Sequence, residues 1–123
     1  MKTALPGIPA YITRDGSEIR ELMHPQVHGP ALHAAKQSLA QATVLPGQRT
    51  VLHRHHVTEE LYHIIEGRGI MTLGLARFAV GSGDTVCIPP GTAHCIEAEG
   101  GAKLVLLCAC SPAYSHDDTE LLE

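Results

Sequence analysis

The chain has few flat aromatic side chains: its 123 residues include three tyrosines, one phenylalanine and no tryptophan. Platforms that stack sugars or nucleic-acid bases depend on such flat faces, so this scarcity argues against both. Positive charge is also limited, with 9 Lys and Arg against 13 Asp and Glu and a formal net charge of −4. This balance predicts neither a nucleic-acid partner nor an anionic membrane surface as a partner.

Long apolar runs are absent as well. No run approaches the roughly 20 consecutive residues that a bilayer-spanning helix needs. Residues 1–7 hold one lysine with no apolar signal core behind it. We therefore expect a cytoplasmic protein with no membrane partner. A length of 123 residues suits one domain that buries its own core.

The cysteines lack the spacing of a metal ribbon or a redox motif. Cys87, Cys95, Cys108 and Cys110 include no Cys-x-x-Cys pair. Cys108 and Cys110 are two residues apart on a predicted strand, so their side chains point to the same face. This is poor geometry for a disulfide between them. We expect reduced thiols that pack as small hydrophobic side chains.

Glycine and proline are frequent, with 12 and 8 copies, and they separate short apolar or alternating runs. Many short strands at near-regular spacing predict an antiparallel β-sandwich or β-barrel. The predicted strands cover residues 38–45, 50–55, 60–65, 69–75, 77–80, 85–88, 93–98 and 103–110.

Three regions are expected along the chain. Residues 1–36 form an N-terminal arm with a short strand near residues 18–22 and a helical turn at residues 30–36. Residues 37–112 form the barrel, and residues 113–123 form a polar surface tail. Four polar residues of this tail are candidates to cap the barrel mouth of this or a neighbouring subunit: Tyr114, His116, Asp117 and Asp118.

Histidine is as common as lysine and arginine combined, with nine of each, which suggests metal or proton chemistry. His53 and His55 are two apart on an extended run, so both imidazoles face one side of a sheet. The chain then turns, and Glu60 opens the next strand, from which it can return a carboxylate to that face. His94 enters a further strand after a proline-rich turn. Imidazoles and a carboxylate together suit a divalent ion of intermediate hardness.

These residues resemble the two motifs of the cupin family. The first motif, G-x(5)-H-x-H-x(3,4)-E-x(6)-G, is satisfied at every fixed position by Gly47, His53, His55, Glu60 and Gly67. The second motif, G-x(5)-P-x-G-x(2)-H-x(3)-N, is matched by Gly83, Pro89, Gly91 and His94. Its last position holds Ala98 instead of asparagine, at a place that the family does not use for metal binding.

The resemblance implies an all-β cupin fold, a double-stranded β-helix or jelly-roll that forms an antiparallel β-barrel with a short N-terminal arm. It also implies one divalent transition metal per chain on His53, His55, Glu60 and His94. Fe(II) or Mn(II) is favoured, and zinc, nickel or copper are alternatives because affinity follows the Irving–Williams order whatever the function.

Other residues near the motifs have competing interpretations. Tyr62 and Ile64 lie two and four residues after Glu60 on the same predicted strand, so they share its face and should line the barrel. Tyr62 is the candidate catalytic group, although a packed tyrosine with a satisfied hydroxyl is an equal alternative. Glu59 and His63 are expected on the outer face. Several further residues could reach the site or remain surface residues: Gln41, Thr43, Arg49, Arg54, His56, Arg68 and Arg77.

Similarity to cupins implies a small-molecule substrate that chelates the metal through adjacent oxygens. Dioxygenase-type chemistry is one possibility, and an isomerase or lyase that uses the metal as a Lewis acid is another. The second class needs a positioned base, and the lack of an obvious one favours the dioxygenase. A ligand-binding cupin without turnover is a third possibility. An oxalate-decarboxylase-like role would need a second carboxylate from Glu59, whose parity is unfavourable, or from Glu66.

We also expect a homodimer. An open sheet has an edge that requires cover. The N-terminal arm could swap across a two-fold axis to provide it.

Overall fold

The computed structural model describes residues 1–29 and 34–123, whose regular secondary structure is almost entirely β-strand. A short 3-10 turn at Leu5–Gly7 precedes the strands. The strands are β1 (Tyr11–Ile12), β2 (Glu18–Met23), β3 (Ser38–Val44), β4 (His53–His55), β5 (Glu59–Glu66), β6 (Arg68–Leu73), β7 (Ala76–Gly81), β8 (Thr85–Ile88), β9 (His94–Glu99), β10 (Leu104–Ser111) and β11 (Thr119–Leu121). Within the helical turn expected at residues 30–36, residues 30–33 lie outside the described residues.

Two antiparallel sheets pack face to face. One has six strands in the order β1-β2-β3-β10-β5-β8, and the other has five strands in the order β11-β4-β9-β6-β7. Strands that are consecutive in sequence often belong to different sheets, as β4 and β5 do. This arrangement confirms the predicted all-β jelly-roll fold. In the part of the chain that the structure describes, backbone pairing does not join the two sheets into a closed barrel.

Alternating side chains build the core between the sheets. In β5, Glu60, Tyr62 and Ile64 are buried, whereas Leu61 and His63 between them are exposed. Large aliphatic side chains from both sheets fill the interior, and burying each of them contributes about 1.5–3 kcal/mol. The most completely buried are Ile64, Met71, Ile88, Ile96, Leu104 and Leu106.

The sequence predicted the strands between residues 38 and 110 well. All eight are present, with ends that shift by a few residues at most. The sequence left open which side chains of β3 point into the core, and the structure answers this. Ala40 and Ala42 point into the core, and Gln41 and Thr43 lie between them on the other face and are only half-buried. The possibility that Gln41 or Thr43 reaches the interior was therefore wrong.

The two ends of the chain contribute strands that extend the sheets. The N-terminal region holds β1 as well as the expected β2, and β2 pairs with β3 so that Glu21 lies opposite Ala40. The C-terminal residues do more than cover the surface. They form β11, which pairs with β4 and places Thr119 opposite His55. Sequence patterning predicted neither β1 nor β11.

Gly67 makes the sharp turn between β5 and β6. Its φ of 88° lies in the left-handed region that favours glycine. A Cβ at this position would also collide with the backbone carbonyl oxygen of Lys103. Both constraints explain why glycine stands at this motif position.

In residues 1–29 and 34–123, no helix combines the length and the apolar character needed to cross a membrane.

Candidate metal centre

The four residues of the predicted ligand set are buried and close together. His53 and His55 lie on β4, and His94 lies directly opposite His53 on the neighbouring strand β9. Glu60 lies on β5, which belongs to the other sheet. The expectation that Glu60 returns to the face of the histidines from an adjacent strand was therefore wrong in detail. Its carboxylate instead faces the three rings across the interior.

The donor atoms of these side chains converge. One ring nitrogen from each of His53, His55 and His94 lies within 4.8 Å of the other two. Glu60 Oε1 lies 3.2 Å from His55 Nε2 and 3.5 Å from His94 Nε2. Three imidazole nitrogens are thus grouped in one small volume, and a carboxylate oxygen lies against two of these rings.

Backbone carbonyls fix the orientation of two of the rings. His53 Nδ1 lies 2.7 Å from the Val51 oxygen, and His94 Nδ1 lies 2.9 Å from the Thr92 oxygen. A carbonyl oxygen only accepts, so each Nδ1 carries the proton and donates it. Each Nε2 then presents a lone pair to the cluster. Burial and the neighbouring charge of His94 also lower the pKa of His53, which favours its neutral ring.

A hydroxyl fixes the third ring in the same way. His55 Nδ1 lies 3.0 Å from Thr119 Oγ1, and Thr119 donates its own hydroxyl proton to the Ser115 carbonyl at 2.9 Å. The hydroxyl therefore accepts from His55, whose Nε2 is left without a proton.

Within the described part of the chain, two atoms in the cluster are buried without a hydrogen-bond partner: His94 Nε2 and Glu60 Oε1. Burying such atoms unpaired is costly, and nearly all buried polar groups in native proteins have a partner. A divalent cation bound between them would satisfy both. The donor set of three imidazoles and one carboxylate also suits Fe(II), Mn(II) and zinc. The residues therefore fit a divalent transition metal.

Glu60 is held in its anionic form. Burial alone would raise the pKa of this carboxyl, but in the metal-free site contact with His55 and His94, when their Nε2 atoms carry protons, more than offsets burial and lowers the pKa to about 2. Its second oxygen, Oε2, accepts a hydrogen bond from Cys110 Sγ at 3.2 Å. Burial and the charge of Glu60 raise the pKa of the Cys110 thiol, so that the thiol keeps its proton. Cys110 therefore orients one carboxylate oxygen and leaves the other facing the histidines.

A cavity that opens to solvent lies beside the cluster. Its wall includes the apolar side chains of Ile19, Val44, Ile96 and Leu106. Five small side chains of β3 and β10 leave the space open: Ser38, Ala40, Ala42, Cys108 and Cys110. The four cysteines of the chain are all free thiols, as the sequence predicted.

Tyr62 lines this cavity, as its parity with Glu60 predicted. Its ring centroid lies 5.9 Å from that of His94, in an edge-on arrangement. Burial and the charge of Glu60 raise the pKa of Tyr62 well above its ordinary value, so the phenol keeps its proton. The position of Tyr62 agrees with the sequence analysis, whereas its catalytic role stays a prediction.

The ends of the chain bring further polar groups to the cavity. Of these, the sequence analysis named only Tyr114, as a candidate to cap the barrel mouth. Asp15 Oδ2 lies 3.8 Å from His53 Nε2, and Asp15 Oδ1 accepts hydrogen bonds from the amide and the hydroxyl of Ser17 at 2.9 and 2.6 Å. Glu21 and Tyr11 line the same cavity from β2 and β1. Tyr114 also lines it, with its ring centroid 5.8 Å from that of His55.

Several residues lie where the sequence placed them, away from the cavity. Glu59, His63 and Glu66 are exposed on β5. Arg54 points outward and bonds Glu120 at 2.9 Å. The remaining polar candidates are not among the residues of the cavity wall: Arg49, His56, Arg68 and Arg77.

Related proteins match most or all of the chain. The uncharacterized protein MJ1618 of Methanocaldococcus jannaschii is 51% identical over 123 residues, which cover 100% of this chain and 95% of the relative. The mannose-1-phosphate guanylyltransferase RfbM of Salmonella typhimurium is 29% identical over 115 residues. That match covers 88% of this chain, which spans only 24% of the guanylyltransferase.

Solved structures share the fold at low sequence identity. A Streptomyces PAC13 variant solved with uridine has a TM-score of 0.77 and 13% identity, and the match covers 99% of this chain and 90% of that one. Oxalate decarboxylase from Lactobacillus farciminis, in a formate complex, also has a TM-score of 0.77, with 21% identity. That match covers 96% of this chain and 34% of the decarboxylase.

The family model described as a cupin domain, Cupin_2, matches residues 40–110. This segment is more than half of the chain and includes all four residues of the convergent cluster. The match agrees with the jelly-roll topology and with both sequence motifs. On these grounds the chain belongs to the cupin family.

Proposed function

We propose that this cupin is a metal-dependent enzyme that acts on a small, oxygen-rich substrate. One divalent transition metal, with Fe(II) or Mn(II) favoured, would be held by His53, His55, Glu60 and His94. The observation that carries the proposal is the pair of buried, unpartnered atoms, His94 Nε2 and Glu60 Oε1, beside an open cavity. When bound, the metal supplies a Lewis acid that adjacent oxygens of a substrate can chelate.

Among reaction classes, the geometry favours proton transfer of the kind that isomerases and lyases perform. The sequence offered no positioned base, but the Asp15 carboxylate is buried and lies 3.8 Å from His53 Nε2. Ser17 binds only Oδ1 of this carboxylate, so Oδ2 faces the cluster. Asp15 would accept a proton from a carbon next to the substrate carbonyl and return it to the neighbouring carbon or to the same one.

Dioxygenase-type oxygen chemistry is the second candidate. The donor set suits Fe(II), and the apolar side chains of Ile19, Val44 and Leu106 form a wall that suits dioxygen and limits water. In this case the substrate would be oxidised by O₂ and no base would be required.

One experiment separates these classes. Metal-free protein is loaded anaerobically with Fe(II) or Mn(II) and offered a panel of 2-oxo acids and 1,3-dicarbonyl compounds in D₂O. Proton transfer predicts deuterium on the carbon next to the carbonyl, detected by NMR, without oxygen consumption. Oxygen chemistry predicts substrate-dependent O₂ uptake at an electrode. Stoichiometric metal and ligand binding with neither signal would leave a binding protein without turnover.

The proposed base has a matched control. Asp15→Asn should abolish deuterium exchange while leaving metal content unchanged, because Asp15 is outside the ligand set. Asp84→Asn makes the same substitution at an exposed residue in the turn before β8 and should exchange normally. Full exchange by Asp15→Asn would refute this role.

Tyr62 is the proposed hydrogen-bond donor to the substrate. Its hydroxyl keeps its proton, and its ring already lies against His94. Tyr62→Phe should lower kcat about tenfold or more with metal affinity unchanged, since a positioned acid or donor contributes on that scale. Unchanged kcat would instead identify Tyr62 as a packing residue of the core.

A homodimer is also proposed, through the outer face of the six-stranded sheet. Leu39, Ala109, Leu61 and Cys87 form a continuous row across four strands, and Leu39 and Leu61 are 37% and 42% exposed. Leu61→Lys should produce a monomer at micromolar concentration in sedimentation velocity experiments. Leu75→Lys changes a fully exposed leucine in the turn between β6 and β7 and should leave the dimer intact. A monomeric wild type would contradict the proposal.

A further inference from the structure

Glu21 carries an unpaired oxygen in the wall of the central cavity. Its side chain is only 6% exposed and points from β2 into the interior. Tyr11 donates its phenolic hydrogen to Glu21 Oε1 at 2.7 Å, whereas Oε2 has no hydrogen-bond partner among residues 1–29 and 34–123. A buried carboxylate oxygen without a donor is unfavourable, so this position is suited to a ligand that brings one.

The position of Glu21 is separated from the metal cluster by small side chains. From β2, which carries Glu21, to β5, which carries Glu60, the order is β2-β3-β10-β5. Three spacings between neighbouring strands separate the backbones of β2 and β5 by about 14 Å. Ala40 of β3 lies opposite Glu21, and Cys108 of β10 lies opposite Ala40. These short side chains leave open space between the two carboxylates in a single cavity.

We propose that Glu21 Oε2 binds a hydroxyl group of the substrate, at the end opposite the metal cluster. The substrate class is then a small hydroxylated carbonyl compound, chelated at one end and hydrogen-bonded at the other. This inference rests on the proposed function, because it requires the chelating end to bind at the cluster. A neutral hydroxyl fits better than an ammonium group, which would share the cavity with a divalent cation and be repelled by it.

Tyr11 orients this subsite. Burial and the hydrogen bond to Glu21 raise the pKa of Tyr11, so the phenol remains a donor at neutral pH and occupies Oε1. Tyr11 and Glu21 also line a groove beneath residues 3–9, so the pair stands at the boundary between groove and cavity. A ligand that extends from the cluster toward the groove would therefore meet Glu21 at this boundary.

Matched ligands test the assignment. Binding of pyruvate, 2-oxobutanoate and 2-oxopentanoate to the Mn(II)-loaded protein is measured by calorimetry, each beside its terminally hydroxylated derivative and its terminally aminated derivative. At least one hydroxylated ligand should bind about tenfold more tightly than its parent, because a hydrogen bond to a charged acceptor contributes on that scale. Glu21→Gln should remove most of this gain. Tighter binding of the aminated ligands would overturn the hydroxyl assignment.

The control is Glu18→Gln, the same substitution on the same strand but on its other face, where Glu18 pairs with Arg20 at 2.8 Å. It should keep the full preference for the hydroxylated ligand. Glu21→Gln should also keep one metal per chain, which shows that its fold and ligand cluster are intact. A preference that survives in Glu21→Gln, or no preference in the wild type, would overturn the assignment. Failure of the parent acids to bind at all would instead count against the proposed function itself.

Discussion

Thr119 Oγ1 lies 3.0 Å from Nδ1 of His55, and this contact connects the C-terminal strand to the candidate metal centre. β11 pairs with β4 in a register that puts these two residues opposite each other. Because Thr119 donates to the Ser115 carbonyl, it accepts from His55 and leaves the other ring nitrogen free for a metal. The end of the chain therefore belongs to the site.

Replacing this hydroxyl should weaken metal binding without removing a ligand. In Thr119→Val the side chain keeps its shape, but His55 loses the acceptor that fixes its tautomer and orientation. Loss of such a contact costs about 10- to 100-fold in metal affinity. Competition titration of Mn(II) or zinc against a chromophoric chelator measures the change.

The chain offers a matched control for that substitution. His63 Nδ1 lies 2.8 Å from Thr85 Oγ1, a similar pairing on an exposed face away from the cavity. Thr85→Val should therefore leave metal affinity unchanged. Equal losses in the two variants would show that Thr119 acts only through general stability.

The convergence of the four candidate ligands was largely predictable from sequence. Spacing alone puts His53 and His55 on one face of a strand. The choice of Glu60 over Glu59 came from the resemblance to the first cupin motif, which fixes the interval between the acid and Gly67. The structure agrees with this prediction because side chains alternate strictly between the two faces of a strand. What spacing did not reveal is that Glu60 reaches the histidines from the opposite sheet, since sheet membership depends on long-range pairing.

The rest of the cavity wall was not predictable in the same way. In β2, Ile19 and Glu21 share one face while Glu18, Arg20 and Leu22 share the other, so each face mixes apolar and charged residues. Only pairing with β3, which sets Glu21 opposite Ala40, decides which face is inside. Asp15 lies in a turn, where parity gives no information about facing.

Asp118 stabilises the turn between His55 and Glu60. Its carboxylate accepts hydrogen bonds from the backbone amides of Val57 and Thr58, each at 3.0 Å. Burial opposes ionisation, but the hydrogen bonds from these amides together more than offset it and lower the pKa of Asp118 below 3.8. The carboxylate therefore stabilises the fold fully above pH 3.8, and this contribution is lost as the pH falls through the lower folded-state pKa.

Asp118→Asn should consequently have a pH-dependent effect on stability. At pH 7 the free energy of unfolding should fall by less than about 1 kcal/mol, because solvent screens this half-buried group. The difference from wild type should shrink as the pH is lowered below 3.8. Urea unfolding of the metal-free proteins at several pH values measures it, and a difference that stays constant down to the lowest pH would contradict this role.

Gly67 and Gly83 allow two backbone effects to be separated. Both have positive φ, 88° and 93°, but a Cβ at Gly67 would meet the Lys103 carbonyl whereas a Cβ at Gly83 would meet nothing within 4 Å. Gly83→Ala should cost about 1–2 kcal/mol from backbone strain alone. Gly67→Ala adds the collision and should lose more than about 3 kcal/mol in urea unfolding. Similar losses would argue against the close contact of β5 with the segment before β10.

Metal content is the measurement that tests the central claim most directly. Untagged wild-type protein is stripped, reloaded with Fe(II), Mn(II) or zinc, desalted and analysed by mass spectrometry beside His53→Ala/His94→Ala. A variant of two exposed histidines, His56→Ala/His63→Ala, is the control. The account predicts one metal per chain in the wild type and in the control, and none in the His53/His94 variant. A wild type that retains no metal after any loading, or a His53/His94 variant that retains as much as wild type, would contradict it.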